Sequence, residues 1–476
     1  ELEDGAAWYF SEEDADPRPV VFPYYRVNLD DYFDSRAYAK GAWVLHMLRT
    51  MLGEEAFFKG VRHYIHRRQG KLVVTADLRK DFEEATGREL GWFFEQWLGK
   101  PGYPKFAVSW TSDGAEVELV VKQMQDTSKP GGLAGTVPYF KGPVWIELGG
   151  VFRRVELSGR QKQSFRVPLA EKPAYLKFNS MSSMLAHVET VQSFDAWKAQ
   201  LERSPDPVAR VEAARMLGRL PEISIDIEAD QLARVGVLSS CARTETEGWV
   251  RAACVDSLAA IASPAVNPQA TRNVLDAIFA SSSMTASESD ATVRESFAAL
   301  LGQFPAKRSL QALKAMALGT SGLKGPVAAV QALGGYTKDR DAYDLLVSLL
   351  PRESFQSRLR QAALETLGRL GDPRAHALGL EYARSSHVQN VRTGAFRLLA
   401  GIGRSEGGAL SESSRLALEA ALADTAYPIR LAAVGALGKL GNTAAIPALE
   451  RVAASDPELK VRTAANEAIE AIRGAS

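Results

Sequence analysis

Cysteine is nearly absent: 476 residues hold two, Cys241 and Cys254. Both stand in Ala- and Val-rich segments that read as helices, where a free cysteine behaves as a small buried hydrophobe. The sequence therefore predicts no disulfide framework and no cysteine zinc cluster. Histidine is also scarce, at six residues: His46, His63, His66, His187, His376 and His387. None of them forms a His-Glu-x-x-His pair one helical turn apart. A surplus of one charge is missing as well, since 57 basic residues face 57 acidic ones. No global field draws the chain to nucleic acid or to an anionic membrane. No apolar run approaches the roughly 20 residues of a membrane span. Glu1 to Pro19 has neither the basic start nor the apolar run of a signal peptide. The chain reads as beginning partway through a longer protein, and its compartment is not legible.

What is present is ordinary for a globular chain, 46% hydrophobic and 24% charged. The length exceeds one hydrophobic core and suggests about three domains at roughly 150 residues each. Asp34 and Ser35 precede a helix that runs to Leu52 and stops at Gly53. A second helix opens with Glu54 and Glu55, and Phe57, Phe58, Val61, Tyr64 and Ile65 define its expected buried face. Thr75 is the expected cap of a third helix, which Gly87 ends. The block Trp92, Phe93, Phe94, Trp97 and Leu98 reads as core rather than as a ligand cage. After Pro104 the period falls to two, as in Phe106-Val108-Trp110 and Val117-Leu119-Val121, which predicts short antiparallel strands to about Phe178. The Gly-rich stretch Gln125 to Gly135 reads as a mobile connection.

From about Ser193 the sequence repeats itself. Arg210, Arg251, Arg294, Arg360, Arg392, Arg430 and Arg462, with Pro326 in an arginine's place, recur at intervals of 32 to 43 residues. Three positions on stand Ala213, Cys254, Phe297, Ala329, Ala363, Ala395, Ala433 and Ala465. Seven positions on stand Leu217, Leu258, Leu301, Leu333, Leu367, Leu399, Leu437 and Ile469. Each interval holds one helical hairpin, with small residues for close approach and a Leu buried against the next hairpin. The arginine is expected to tie one hairpin to its neighbour through a carboxylate. Units such as Asp424 to Gly438 resemble compact HEAT repeats. Gly319 to Gly325 lacks the Gly-Lys-Ser/Thr ending of a phosphate loop and reads as a hairpin connection.

Tyr38-Ala39-Lys40-Gly41-Ala42-Trp43, then Leu52-Gly53-Glu54-Glu55-Ala56-Phe57, Thr75-Ala76-Asp77-Leu78, Thr86-Gly87, Trp97 and Gly102-Tyr103-Pro104, closely resemble zinc aminopeptidases of the aminopeptidase N type. The resemblance covers about Phe33 to Pro104. It implies that residues 1–104 are the α-helical end of a thermolysin-like catalytic domain; with the period-two strands as an antiparallel β-sandwich over 105–190 and the repeats as an all-α HEAT-repeat solenoid over 193–476, the expected fold is multidomain. It implies that the parent protein hydrolyses N-terminal peptide bonds with a zinc-activated water. Tyr38 would donate its phenol hydrogen bond to the oxyanion of the tetrahedral intermediate, and the helical tail would restrict peptide entry. The family's zinc ligands precede this tyrosine, so zinc would be held by sequence before Glu1 and none by this chain. The expected partners are a peptide substrate and the N-terminal part of the catalytic domain, and the fragment alone is expected to be inactive. His46, behind Tyr38, reads as a packed histidine, and His63 with His66 as a solvated helix face without a third metal ligand. The alternative is a protein-binding scaffold from a degenerate, non-catalytic relative.

Overall fold

The computed structural model describes residues 2–21, 33–126, 135–219, 227–262, 268–279, 288–319 and 322–474. The stretch 127–134 of the Gly-rich connection and residues 320 and 321 lie outside the described residues. The chain divides into two compact units, Glu1–Met216 and Leu217–Ser476.

In the first unit helix α1, Leu2–Ala15, buries only Ala6, Tyr9 and Glu13. Its weak apolar face is why periodicity gives no sign of it. A wide turn at Arg36–Lys40 leads into α2, Gly41–Leu52, whose buried side is Trp43, Val44, Met47, Leu48 and Leu52. Gly53 ends it at φ 86° and leads into α3, Glu54–Arg68. The expected buried face of α3 narrows to Phe57, while Phe58 and Ile65 are exposed. Helix α4, Thr75–Thr86, approaches α3 at Gly60, where an added Cβ would lie 2.5 Å from the buried Phe82 ring. The close approach covers one stripe of α3 and leaves its flanks open. Thr75 is the first residue of α4 rather than its cap; the Asp77 carboxylate accepts the Val74 N–H at 3.0 Å and does the capping. Phe93, Phe94, Trp97 and Leu98 are buried, as core residues should be.

Among the described residues seven strands follow: β1 Lys105–Ser112, β2 Glu116–Gln123, β3 Lys141–Leu148, β4 Val151–Ser158, β5 Lys162–Pro168, β6 Leu176–Phe178 and β7 His187–Thr190. They form a four-stranded sheet, β5-β2-β1-β7, and a three-stranded sheet, β4-β3-β6. All pairs are antiparallel except β1 with β7, which is parallel. The purely antiparallel expectation fails there because β7 returns from β6 in the other sheet rather than through a hairpin. Phe106 of β1 meets Phe178 of β6 edge-on at 5.4 Å, and both sheets share one apolar cluster with Trp43, Phe82 and Trp97. Behind them α5, Phe194–Arg203, is capped by the Ser193 hydroxyl, and α6 spans Pro207–Arg219.

The second unit is helical among the described residues. Helices Gly248–Ile261, Ala291–Gln303, Lys324–Ala332, Arg358–Leu370, Gln389–Glu406, Tyr427–Leu440 and Leu459–Gly474 pack each on the next. All of them except Lys324–Ala332, where Pro326 takes its place, carry the repeated arginine, and Leu258, Leu301, Leu333, Leu367, Leu399 and Leu437 are all fully buried. A Cβ on Gly401 would lie 2.5 Å from the Gly368 carbonyl, so small residues do set the helix spacing. The arginines form a ladder. The guanidiniums of Arg251, Arg392 and Arg430 reach Glu288, Asp424 and Asp456 in the following repeat at 3.0, 2.8 and 2.7 Å. The backbone carbonyls of the same three acids accept from Arg294, Arg430 and Arg462. Arg360 departs from this pattern and pairs with Glu353 of its own junction.

One expectation is overturned here. Cys241 and Cys254 are not free thiols but a disulfide joining helix Ile227–Thr244 to helix Gly248–Ile261, with Cα atoms 6.3 Å apart. The two helices run back to back across the short Glu245–Glu247 turn, which brings residues 13 apart level with each other.

Candidate functional site

The chain around Tyr38 is built by charges that turn inward. In the turn Arg36–Lys40 the Lys40 N–H donates to the Ser35 carbonyl five residues back, at 2.9 Å, which widens the helix locally. Such one-turn widenings recur at functional sites. Arg36 is 2% exposed, and its guanidinium donates to Glu13 at 3.1 Å, to Asp34 at 3.0 Å and to the carbonyls of Glu12 and Asp16. Ser35 donates from both its hydroxyl and its N–H to Glu12. Glu13 also accepts the Gly102 N–H at 2.5 Å. A buried arginine with this many acceptors is a fixed point.

Lys40 anchors the other side of the turn. Its ammonium is fully buried, lies 3.4 Å from the carbonyls of Lys100 and Gly102, and sits 5.0 Å from the centre of the Tyr9 ring. Burial pushes its pKa down to about 8, the Glu13 carboxylate opposing and Arg36 assisting. Burial likewise holds the Tyr9 phenol well above its ordinary value, and that phenol donates to the Gly102 carbonyl at 3.1 Å.

Tyr38 stands between these two anchors and faces outward, 56% exposed, with its ring stacked on Phe33 at 6.3 Å between centroids. Backbone and ring are thus positioned while the hydroxyl is open to a ligand. His46, two turns along α2, is turned to the sheet side, where Nε2 pairs with the Met181 carbonyl at 3.1 Å and the ring meets Trp43 edge-on. It is the packed histidine expected. A small cleft of about 90 Å³ opens near Asp14, Tyr103 and Lys105. Of its acids, Asp14 is already engaged, since it accepts the Tyr103 hydroxyl at 2.9 Å and the Lys105 ammonium at 3.1 Å.

Among the described residues one group has metal-ligand character, and it is not the His63 and His66 pair. His63 of α3 meets Asp81 and Glu84 of α4, their ligand atoms within 4.8 Å of one another. The carboxylates three apart on one helix were the missed signal. Their chemistry does not fit a zinc ion. Asp81 takes a two-pronged pair from Arg68 at 2.7 and 3.1 Å, and Arg67 bridges Asp81 and Glu84. The Arg68 hydrogen bond holds the Asp81 carboxyl below its usual range. Two guanidiniums occupy the place a dication would need.

Comparison with known proteins adds sequence and fold relations. Residues 15–97 match the Peptidase family M1 domain, and residues 324–400 and 380–470 match HEAT repeats. Aminopeptidase N of Lactococcus lactis subsp. lactis is 38% identical over 98 residues, 20% of this chain and 11% of that protein. The puromycin-sensitive aminopeptidase of Caenorhabditis elegans is 30% identical over 164 residues, 34% of this chain and 17% of that protein. The chain thus spans between 11% and 17% of the length of these two relatives. The crystal structure of Legionella pneumophila aminopeptidase A in complex with aspartic acid is similar over 99% of this chain and 60% of its own, with a TM-score of 0.63 at 14% identity, a likeness of fold.

Proposed function

From an aminopeptidase N-like chain that carries HEAT repeats, we propose that these residues are the C-terminal segment of a zinc-dependent aminopeptidase, which hydrolyses the N-terminal peptide bond of peptides. The observation that carries the reading is the exposed phenol of Tyr38, held between the anchored Arg36 and Lys40. Negative charge develops on the scissile carbonyl oxygen as the tetrahedral intermediate forms. A phenol O–H fixed beforehand donates to that oxygen without reorganising, an effect of about 3 kcal/mol or roughly a hundredfold in rate.

On this reading residues 1–104 close the catalytic domain, 105–190 form a β-sandwich, and 193–476 form a solenoid that limits substrates to short or unfolded peptides. Zinc belongs to ligands outside this sequence, because the Asp81 and Glu84 carboxylates beside His63 are committed to Arg67 and Arg68. The remaining catalytic domain is then an obligatory partner, and the 476 residues alone neither hold stoichiometric zinc nor hydrolyse peptides.

The test is Tyr38→Phe in a protein that joins this chain to its complete catalytic domain. The ring and its stacking on Phe33 remain while the donor is removed. We expect kcat to fall about a hundredfold with little change in KM. An unchanged kcat would remove Tyr38 from the mechanism. Robust zinc-dependent hydrolysis by the 476 residues alone would overturn the placement of the metal.

A further inference from the structure

Two cysteines in 476 residues meet and bond, and where they do so is informative. The bond lies inside one helical hairpin, between helix Ile227–Thr244 and helix Gly248–Ile261, and the 6.3 Å between Cα atoms is within the span a disulfide bridges without moving the backbone. Cys254 has no exposed surface and sits among buried Ala253, Val255 and Leu258, while Cys241 is half-buried. We propose that Cys241–Cys254 is a structural disulfide and that the chain folds and works in an oxidising compartment, where a disulfide-bearing oxidoreductase supplies the oxidising equivalents.

The exchange balances as follows. The thiolate of one cysteine attacks the donor's disulfide, forms a mixed disulfide and releases one donor thiolate. The second cysteine's thiolate then displaces the other donor sulfur, so the pair loses two electrons and two protons and the donor becomes a dithiol.

Burial separates this pair from a redox switch. A switch must be reached by its oxidant and reductant in the folded state, so regulatory pairs are exposed. Here Cys254 is reachable only while the hairpin is open, which places bond formation during folding and afterwards leaves the half-buried Cys241 as the one partly accessible half of the bond. A pool of reducing thiols meeting the unfolded chain would keep the cysteines reduced, which is why such bonds persist in secreted and periplasmic settings. The inference is independent of the enzymatic reading, since it rests on residues remote in sequence from Tyr38.

The experiment starts from cells that produce the native protein, quenched and unfolded in urea with N-ethylmaleimide, then digested without reduction and read by mass spectrometry. We expect the peptides of Cys241 and Cys254 as one cross-linked species, two hydrogen masses lighter than the sum of the thiol peptides, with no maleimide adduct. Maleimide on both cysteines would overturn the proposal. In the purified protein, dithiothreitol should reduce the bond at least about tenfold more slowly in buffer than in urea, because the hairpin must open first. The Cys241→Ser/Cys254→Ser variant should melt roughly 5–10 °C lower. Equal reduction rates, or an unchanged melting midpoint after both reduction and substitution, would overturn the structural role.

Discussion

Asp456 offers the sharpest test of how the helical repeats are held together. Its carboxylate receives Arg430 in a fork, Nε at 2.7 Å and Nη2 at 2.9 Å, with both residues 8% exposed. It also accepts the Glu458 N–H at 2.9 Å and so helps start the last helix. Asp456→Ala removes both functions and leaves a buried guanidinium with only the carbonyls of Asp424 and Thr425 as acceptors. Breaking one side of such a pair costs about 3–5 kcal/mol, and the lost cap adds about 1 kcal/mol. Asp456→Asn keeps an acceptor for the Glu458 N–H but not the charge, so we expect about half that loss. Urea unfolding with hydrogen exchange at the amides of Leu459–Gly474 would report both losses at the junction concerned. A double-mutant cycle with Arg430→Met should return a coupling of about 2–3 kcal/mol. The pH dependence follows in sign. The Arg430 hydrogen bond holds the Asp456 carboxyl below its usual range. Its stabilisation is therefore complete above the unfolded value of about 3.9 and is lost as pH falls through the lower folded value. A coupling below about 0.5 kcal/mol, or a difference between wild type and Asp456→Asn that persists in strong acid, would refute the reasoning.

Two further substitutions probe the first unit. Gly60→Ala places a methyl 2.5 Å from the Phe82 ring, which is 1% exposed, and should destabilise by about 2 kcal/mol in thermal unfolding; no loss would mean that α3 and α4 yield freely. Lys40 has a folded pKa of about 8 against an ordinary 10.5, so the folded state releases its proton first and stability should climb across that window by up to about 3 kcal/mol. Lys40→Met should flatten that climb in a pH series of melting curves, and a variant that retains it would show that another group titrates.

The repeat was legible because burial imposes it: an apolar, mostly small residue three places after the arginine and a leucine or isoleucine seven places after must both be inside, and both are. The partners of the arginines were legible too, though unread, since Glu288, Asp424 and Asp456 each stand six residues before the next arginine, Arg294, Arg430 or Arg462. Periodicity gave no hint of the disulfide, because a cysteine on an apolar helix face looks the same bonded or free until the hairpin sets two faces against each other. Tyr38 stood out through resemblance rather than pattern. What pins its turn, Glu12 and Glu13 on α1, is more than twenty residues away and lies on a helix with almost no apolar stripe. Contacts of that kind are set by tertiary structure, and local spacing carries no trace of them.

The double duty of the ladder acids bears on how such an array grows and shrinks by gene duplication. Asp424 serves Arg392 with its carboxylate and Arg430 with its carbonyl, and Asp456 serves Arg430 and Arg462 in the same way. A recombination breakpoint between an acid and the arginine six residues later divides one junction between two daughters. A breakpoint farther along the helix, past the buried leucine, hands each copy an intact socket and an intact plug. Inherited blocks should therefore begin and end inside the arginine-bearing helices rather than in the loops, and the chemical seam of the array is offset from its visible hairpins.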